Sequence, residues 1–323
     1  ELSRQGYTPL TKSISITEGT SAMISETLVN GREVAINSTP TGANLFIDGN
    51  ALGKTPYKGI LTYGSHVLKI ELEGKTAERK VEIPQSGGET NYILAFGPAS
   101  FTETVKGVSF EMIGIKGGTF QMGSNDGDRD EKPVHQVTVS DFLMSKTEVT
   151  QALWQAVMGN NPSNFKGNNL PVEQVSWGDC QEFIKKLNQL SGKNYRLPTE
   201  SEWEYAAGGG ERNRTIWAGT NNESNLSEYA WYISNSTSKT QEVGTKEPNS
   251  LGLYDMSGNV WEWCSDWFGN YSITTQTNPT GTSSGSHRVI RGGGWGSKVS
   301  YCRSADRNYF YPDTRYNYLG FRL

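Results

Sequence analysis

Gly252-Leu253-Tyr254-Asp255-Met256-Ser257-Gly258-Asn259-Val260-Trp261-Glu262-Trp263 is the stretch from which the fold of this 323-residue chain is read. Gly258 and Asn259 let the backbone turn sharply. The residues after the turn put Trp261 and Trp263 into an apolar core, and Asp255 and Glu262 flank that core, where carboxylates can satisfy buried backbone donors.

Further segments follow on either side. Downstream lie Arg288-Val289-x-Arg291-Gly292-Gly293 and Leu319-Gly320-Phe321-Arg322. Upstream, in order, are Gly117-Gly118-Thr119-Phe120-x-Met122-Gly123-Ser124, Asp130-Glu131-Lys132-Pro133-Val134-His135, Glu148-Val149-Thr150, Pro171-Val172, Val175-Ser176-Trp177 and Arg196-Leu197-Pro198-Thr199-Glu200-x-Glu202-Trp203-Glu204-Tyr205-Ala206. In this order, from about Phe101 to Leu323, they resemble the formylglycine-generating (sulfatase-modifying factor) family. The resemblance implies an α+β, C-type-lectin-like domain with few regular elements over 99–323.

Local signals place three helices in it. Thr147, Glu148 and Thr150 offer caps for one at Thr150–Met158. Cys180, Phe183, Ile184, Leu187 and Leu190 recur at helical spacing over Trp177–Ser191. Thr199 with Glu202 makes a capping box for Thr199–Ala207.

Ahead of this domain, residues 34–98 read as a small all-β module. Strands are expected at 34–37, 44–47, 66–72 and 80–83, with Asp48-Gly49 as a hairpin turn. Ser38-x-Pro40-x-Gly42-Ala43, Ile47-Asp48-Gly49, Gly53-x-Thr55-Pro56 and Gly64-x-His66 are similar to a PEGA domain, which implies a sandwich-type spacer without common chemistry. Gly6 to Lys12 parallels Gly74 to Lys80, which leaves two readings of residues 1–33: the tail of an earlier PEGA-like repeat, or a chance similarity between two polar β-hairpins.

Composition excludes several classes. There are 30 basic and 34 acidic residues, well mixed, for a net charge of −4, which leaves no basic stripe for nucleic acid. No apolar run is long enough to span a bilayer. The three cysteines, Cys180, Cys264 and Cys302, have no metal-site spacing and leave one disulfide open. The chain starts at Glu1 without Met, and the expectation is a monomeric, secreted or cell-surface protein whose signal or lipid anchor lies outside this sequence.

By the resemblance, Asp255, Gly258, Val260 and Glu262 match a family calcium site of two side chains and two carbonyls, a donor set that suits a hard cation. Asn225 and Leu226 match the start of a second one that lacks its acidic partner. Asp126-x-Asp128-x-Asp130 reads as a solvated loop, since it lacks the Gly and distal Glu of an EF-hand. His135 reads as structural, and the isolated His66 and His287 form no catalytic triad. Gly292-Gly293-Gly294 reads as a tight turn into a final strand.

Active family members oxidise a substrate cysteine to formylglycine with copper held by two cysteines. Here those positions fall on Ser297 and Cys302, and a functional serine becomes Gly294. Copper(I) prefers two thiolates, so Cys302 is catalytic only on an oxidase reading. The tract around it is instead rich in Tyr, Asn and Ser, residues of adaptable binding surfaces. It resembles the variable region of retroelement-diversified lectin-fold proteins. The expected ligand face is Trp295, Ser297, Tyr301, Asn308, Tyr309, Phe310, Tyr311, Tyr316, Asn317 and Tyr318, with Arg303, Asp306, Arg307 and Asp313 bracing it through ion pairs. The reading is a non-catalytic binder of a protein or glycan. A formylglycine-generating oxidase and a scaffold in a surface assembly are the alternatives.

Overall fold

The computed structural model describes residues 30–323 apart from 40, 74, 212 and 213. Nearly all of the expected repeat over 1–33 therefore lies outside the described residues. The chain divides into two compact units, Glu1–Gly97 and Pro98–Leu323.

The first unit holds strands β1 (Gly31–Thr39), β2 (Asn44–Ile47), β3 (Asn50–Lys54), β4 (Tyr57–Thr62), β5 (Gly64–Leu72), β6 (Lys75–Ile83) and β7 (Asn91–Ala95). They form two sheets, β4-β1-β7 and β3-β2-β5-β6. Alternate residues Val34 and Ile36 from one sheet, and Leu45, Ile47, Leu68 and Ile70 from the other, close a common core. Asp48 (φ 52°) and Gly49 (φ 81°) make the two-residue turn between β2 and β3, both left-handed as a right-twisted hairpin requires. The sequence reading missed β3, β4 and β7. In β3 every residue is exposed, so it carries no hydrophobic alternation to detect.

The second unit has β8 (Phe101–Val105), β9 (Val108–Ile115), β10 (Gly118–Met122), β11 (His135–Val139), β12 (Phe142–Ser145), α1 (Gln151–Met158), α2 (Trp177–Ser191), α3 (Glu200–Ala207), α4 (Leu226–Tyr229), β13 (Trp261–Trp267), β14 (Gln276–Thr277), β15 (Arg288–Arg291), β16 (Arg307–Phe310) and β17 (Leu319–Gly320). Small sheets β12-β9-β8, β10-β11-β14 and β16-β15-β13-β17 are joined by long loops, the α+β arrangement with few regular elements that the motifs imply. Among the described residues no helix is long and apolar enough to cross a membrane.

The helices sit where their caps predict. Thr150 accepts from Leu153 N, and Ser176 and Thr199 open capping boxes with Asp179 and Glu202. Left-handed Gly159 and Gly192 end α1 and α2. Leu190 departs from the expectation: it is exposed, because the last turn of α2 runs past the core that Cys180, Phe183, Ile184 and Leu187 fill. Trp154 of α1 stacks on Phe183 of α2 with centroids 5.2 Å apart, and Phe321 packs edge-on against both.

β13 is the hub. Glu262 stands opposite Arg291 of β15 on one side and Gly320 of β17 on the other. The long loop between Arg291 and Leu319 thus leaves from one neighbour of β13 and returns as the other.

Candidate functional site

Buried ion pairs fix that loop. Arg322 and Glu262 are both fully buried, at 2.6 and 2.7 Å, and Trp203 Nε1 also donates to Glu262 at 2.6 Å. Arg307 holds Glu200 at 2.8 and 2.7 Å. Arg291 pairs with Glu204, and Arg303 with Glu131. Charges so deep are favourable only when fully paired. Arg303, Arg307 and Asp306 brace the tract as expected, Asp306 lying 3.5 Å from Arg303. Asp313 does not: the ion pair of its loop is Arg315 with Asp179, at 2.7 and 2.9 Å.

Above this frame lies a cavity of about 580 Å³, lined by Ile233, Ser236, Ser238, Trp261, Trp295, Gly296, Ser297, Lys298, Tyr301, Asn308, Phe310 and Tyr318. Trp295 is fixed by its indole N–H on Asn317 O (2.9 Å) and by Ser236 Oγ on its carbonyl (2.7 Å). Tyr318 stacks on Tyr316 at 4.9 Å, and Tyr301 leans on Trp261 at 6.3 Å. Six of the ten expected ligand residues therefore share one pocket. Tyr316 stands beside it, packed on Phe310 and Tyr318. Asn317 serves through its carbonyl.

Tyr309 and Tyr311 do not line it. Successive strand side chains point to opposite faces, so Asn308 and Phe310 line the pocket while Tyr309 packs on Phe268 and His287, and Tyr311 on His287. Sequence reasoning missed Ile233, Ser236, Ser238 and Lys298, and placed Trp261 in the core alone. The first three come from a distant polar loop with no periodic signal.

The two positions of the family cysteine pair are built into the frame. Cys302 is fully buried among Trp217, Leu226, Ala230 and Tyr232. Its Sγ donates to Lys298 O at 3.6 Å, and burial pushes its thiol up to about 12. Ser297 Oγ accepts from Gly294 N at 2.9 Å, closing a turn. All three cysteines are free and buried, so the disulfide left open by their count is not formed. Gly292 (φ 95°) and Gly293 (φ 76°) do make a tight turn, but it leaves β15 for the pocket loop rather than entering a final strand.

The expected calcium loop has an altered donor set. Gly258 (φ 87°) has room for no side chain, since a Cβ would lie 2.2 Å from Trp231 O. Glu262 accepts from Arg322 and Trp203, so its charge is already matched within the protein. Asp255 is buried and accepts from Gly244 N at 2.7 Å through Oδ2, leaving Oδ1 without a partner. Buried Glu148, read from sequence as a cap and as part of a family segment but not as a ligand, accepts from Asn259 Nδ2 at 3.2 Å and leaves Oε1 without a partner. Burial and neighbouring carboxylates push Glu148 well above the usual range, and burial, chiefly, lifts Asp255 to about 6.

The remaining candidates are structural in their contacts. Asn225 and Leu226 start α4, with Leu226 fully buried. His135 bonds Pro133 O at 3.0 Å and packs on Tyr271. His66 pairs with Asp48 at 2.6 Å, and His287 bonds Ser286 at 2.8 Å.

Comparison with known proteins agrees with this architecture. The family model for a sulfatase-modifying factor enzyme 1-like domain matches residues 99–323, and that for a PEGA domain matches 31–99. A formylglycine-generating enzyme of Mus musculus is 32% identical over 282 residues, 82% of this chain and 72% of its own. A chaperone protein, LppX, of Paenibacillus barcinonensis is 35% identical over 263 residues, 64% of this chain and 88% of its own. Among solved structures, variable protein 1 of Treponema denticola superposes with TM-score 0.65 at 39% identity, covering 70% of this chain and 98% of that one.

Proposed function

The chain belongs to the sulfatase-modifying factor enzyme 1-like family over residues 99–323, and from that premise we propose that it is a non-catalytic, secreted or cell-surface protein whose aromatic pocket binds a protein or glycan ligand. The observation that carries this reading is the state of Cys302 and Ser297. A buried, protonated thiol and a hydroxyl committed to a turn do not fit copper(I), which takes soft, deprotonated sulfur. The pocket supports binding: the rings of Trp261, Trp295, Tyr301, Phe310 and Tyr318 share its wall with the polar side chains of Ser236, Ser238, Ser297, Lys298 and Asn308, a mixed lining that suits a ligand site. Likeness to a protein called variable supports a tract whose sequence changes while its frame does not.

The oxidase reading is favoured by relatives that bear the enzyme's name. It is tested by incubating the purified protein with copper(I), oxygen and a sulfatase-type cysteine peptide. The expected result is an unchanged peptide mass and no copper held against a chromogenic chelator. Conversion of the peptide thiol to an aldehyde would overturn the non-catalytic reading.

Calcium is the structural cofactor proposed with it. The fit rests on Glu148 Oε1 and Asp255 Oδ1, buried acceptors without a donor, beside a Glu262 already neutralised by Arg322. Glu148 and Asp255 would hold the ion, together with the Gly258 and Val260 carbonyls that the family pattern implies. Calcium at a hundred times its Kd is expected to raise the unfolding free energy by about 2.7 kcal/mol. Glu148→Gln is expected to lose that increment, as read by thermal unfolding with and without a chelator. An equal gain in wild type and variant would remove Glu148 from the site.

A further inference from the structure

Away from the pocket, the acidic loop Asp126-x-Asp128-x-Asp130 meets the far end of the chain. We propose that Asp128, Glu131 and Asp306 form a second divalent-cation site, tying this loop to the start of β16. One carboxylate oxygen from each lies within 4.8 Å of the others. Oxygens that close can share one divalent ion, since calcium–oxygen bonds of about 2.3–2.6 Å let ligands of one shell stand up to about 5.2 Å apart.

A second observation points into the cluster. Asp306 is 3% exposed at its side chain; Oδ1 lies 3.5 Å from Arg303, and Oδ2 has no hydrogen-bond partner. A buried carboxylate oxygen without a donor is costly, and a cation satisfies it. Arg303 already pairs with Glu131 through two nitrogens. One of the three negative charges is thus matched within the protein, and a divalent ion balances the other two. Exposed Asp128 leaves a side open to water, which would complete the six to eight oxygens, roughly, of a calcium shell.

The position gives the ion a consequence for the pocket. Asp306 precedes β16, which carries Asn308 and Phe310 into the cavity. A bound ion fixes the start of that strand. All ligands are carboxylates and water, so the site favours a hard cation over zinc or copper.

The test is calcium titration of the intact protein by calorimetry, with Asp128→Asn and Asp306→Asn. Asp128→Asn alters an exposed residue and keeps the fold. Each variant is expected to lose one of the calcium equivalents of the wild type, or to bind it at least tenfold more weakly. Glu148→Gln, at the site proposed above, should leave this equivalent intact, so failure of one site is distinguishable from failure of the other. Unchanged stoichiometry and affinity in Asp128→Asn would overturn the proposal, as would a wild type that takes up no calcium which Glu148→Gln retains.

Discussion

Arg322→Met is expected to destabilise the second unit by about 3–5 kcal/mol, read as a shift of the urea midpoint without a change of slope. Arg322 is fully buried and matched to Glu262 by two short bonds. Glu148 and Asp255 also face it, and their charges act on Arg322. Removing the guanidinium leaves Glu262 with the Trp203 indole alone, beside Glu148 and Asp255, whose carboxyls burial already pushes above their ordinary range. The substitution also releases Ser145 O and Tyr254 O, which Arg322 bonds at 3.1 and 2.9 Å. The double variant Arg322→Met with Glu262→Gln is expected to recover more than half of the loss, because the harm comes from the unpaired charge. A single variant within about 1 kcal/mol of wild type would show that the pair is dispensable.

Tyr301→Ala and Tyr318→Ala are expected to weaken ligand binding at least about thirtyfold, the scale of a 2 kcal/mol hot spot. The ligand for this measurement is a peptide selected from a random display library on the wild-type protein. Both rings line the cavity, and Tyr318 is held in place by its stack on Tyr316. Tyr309→Ala and Tyr311→Ala, whose rings pack against His287 rather than line the cavity, are expected to stay within about threefold. Equal losses at all four positions would mean that the whole tract, not the pocket, is the binding surface.

The contrast between these tyrosines shows where the sequence stops being legible. Helices α1, α2 and α3 could be placed because their caps and spacing are local signals within a few residues. The Tyr-rich tract could be recognised by composition. Its division into two faces could not, because that depends on where β16 begins and which way its pleat faces. Long-range partners were equally hidden. Nothing near Glu262 in the sequence announces Arg322, and nothing near Asp255 announces Glu148. Cys302 stood out as a residue type, but its burial comes from Trp217, Leu226 and Tyr232, which reach it from a segment far upstream.

The loop between Arg291 and Leu319 leaves and re-enters the domain through two strands that flank β13. Its conformation is therefore set by backbone pairing and buried arginine pairs rather than by the side chains of Tyr301, Asn308 or Tyr318. Natural selection can change pocket chemistry at Tyr301, Asn308 or Tyr318 while β15, β17 and the arginine pairs preserve folding. Specificity and robustness become separately inherited traits, and a combinatorial repertoire built on those positions should yield many recognition properties with nearly one melting temperature.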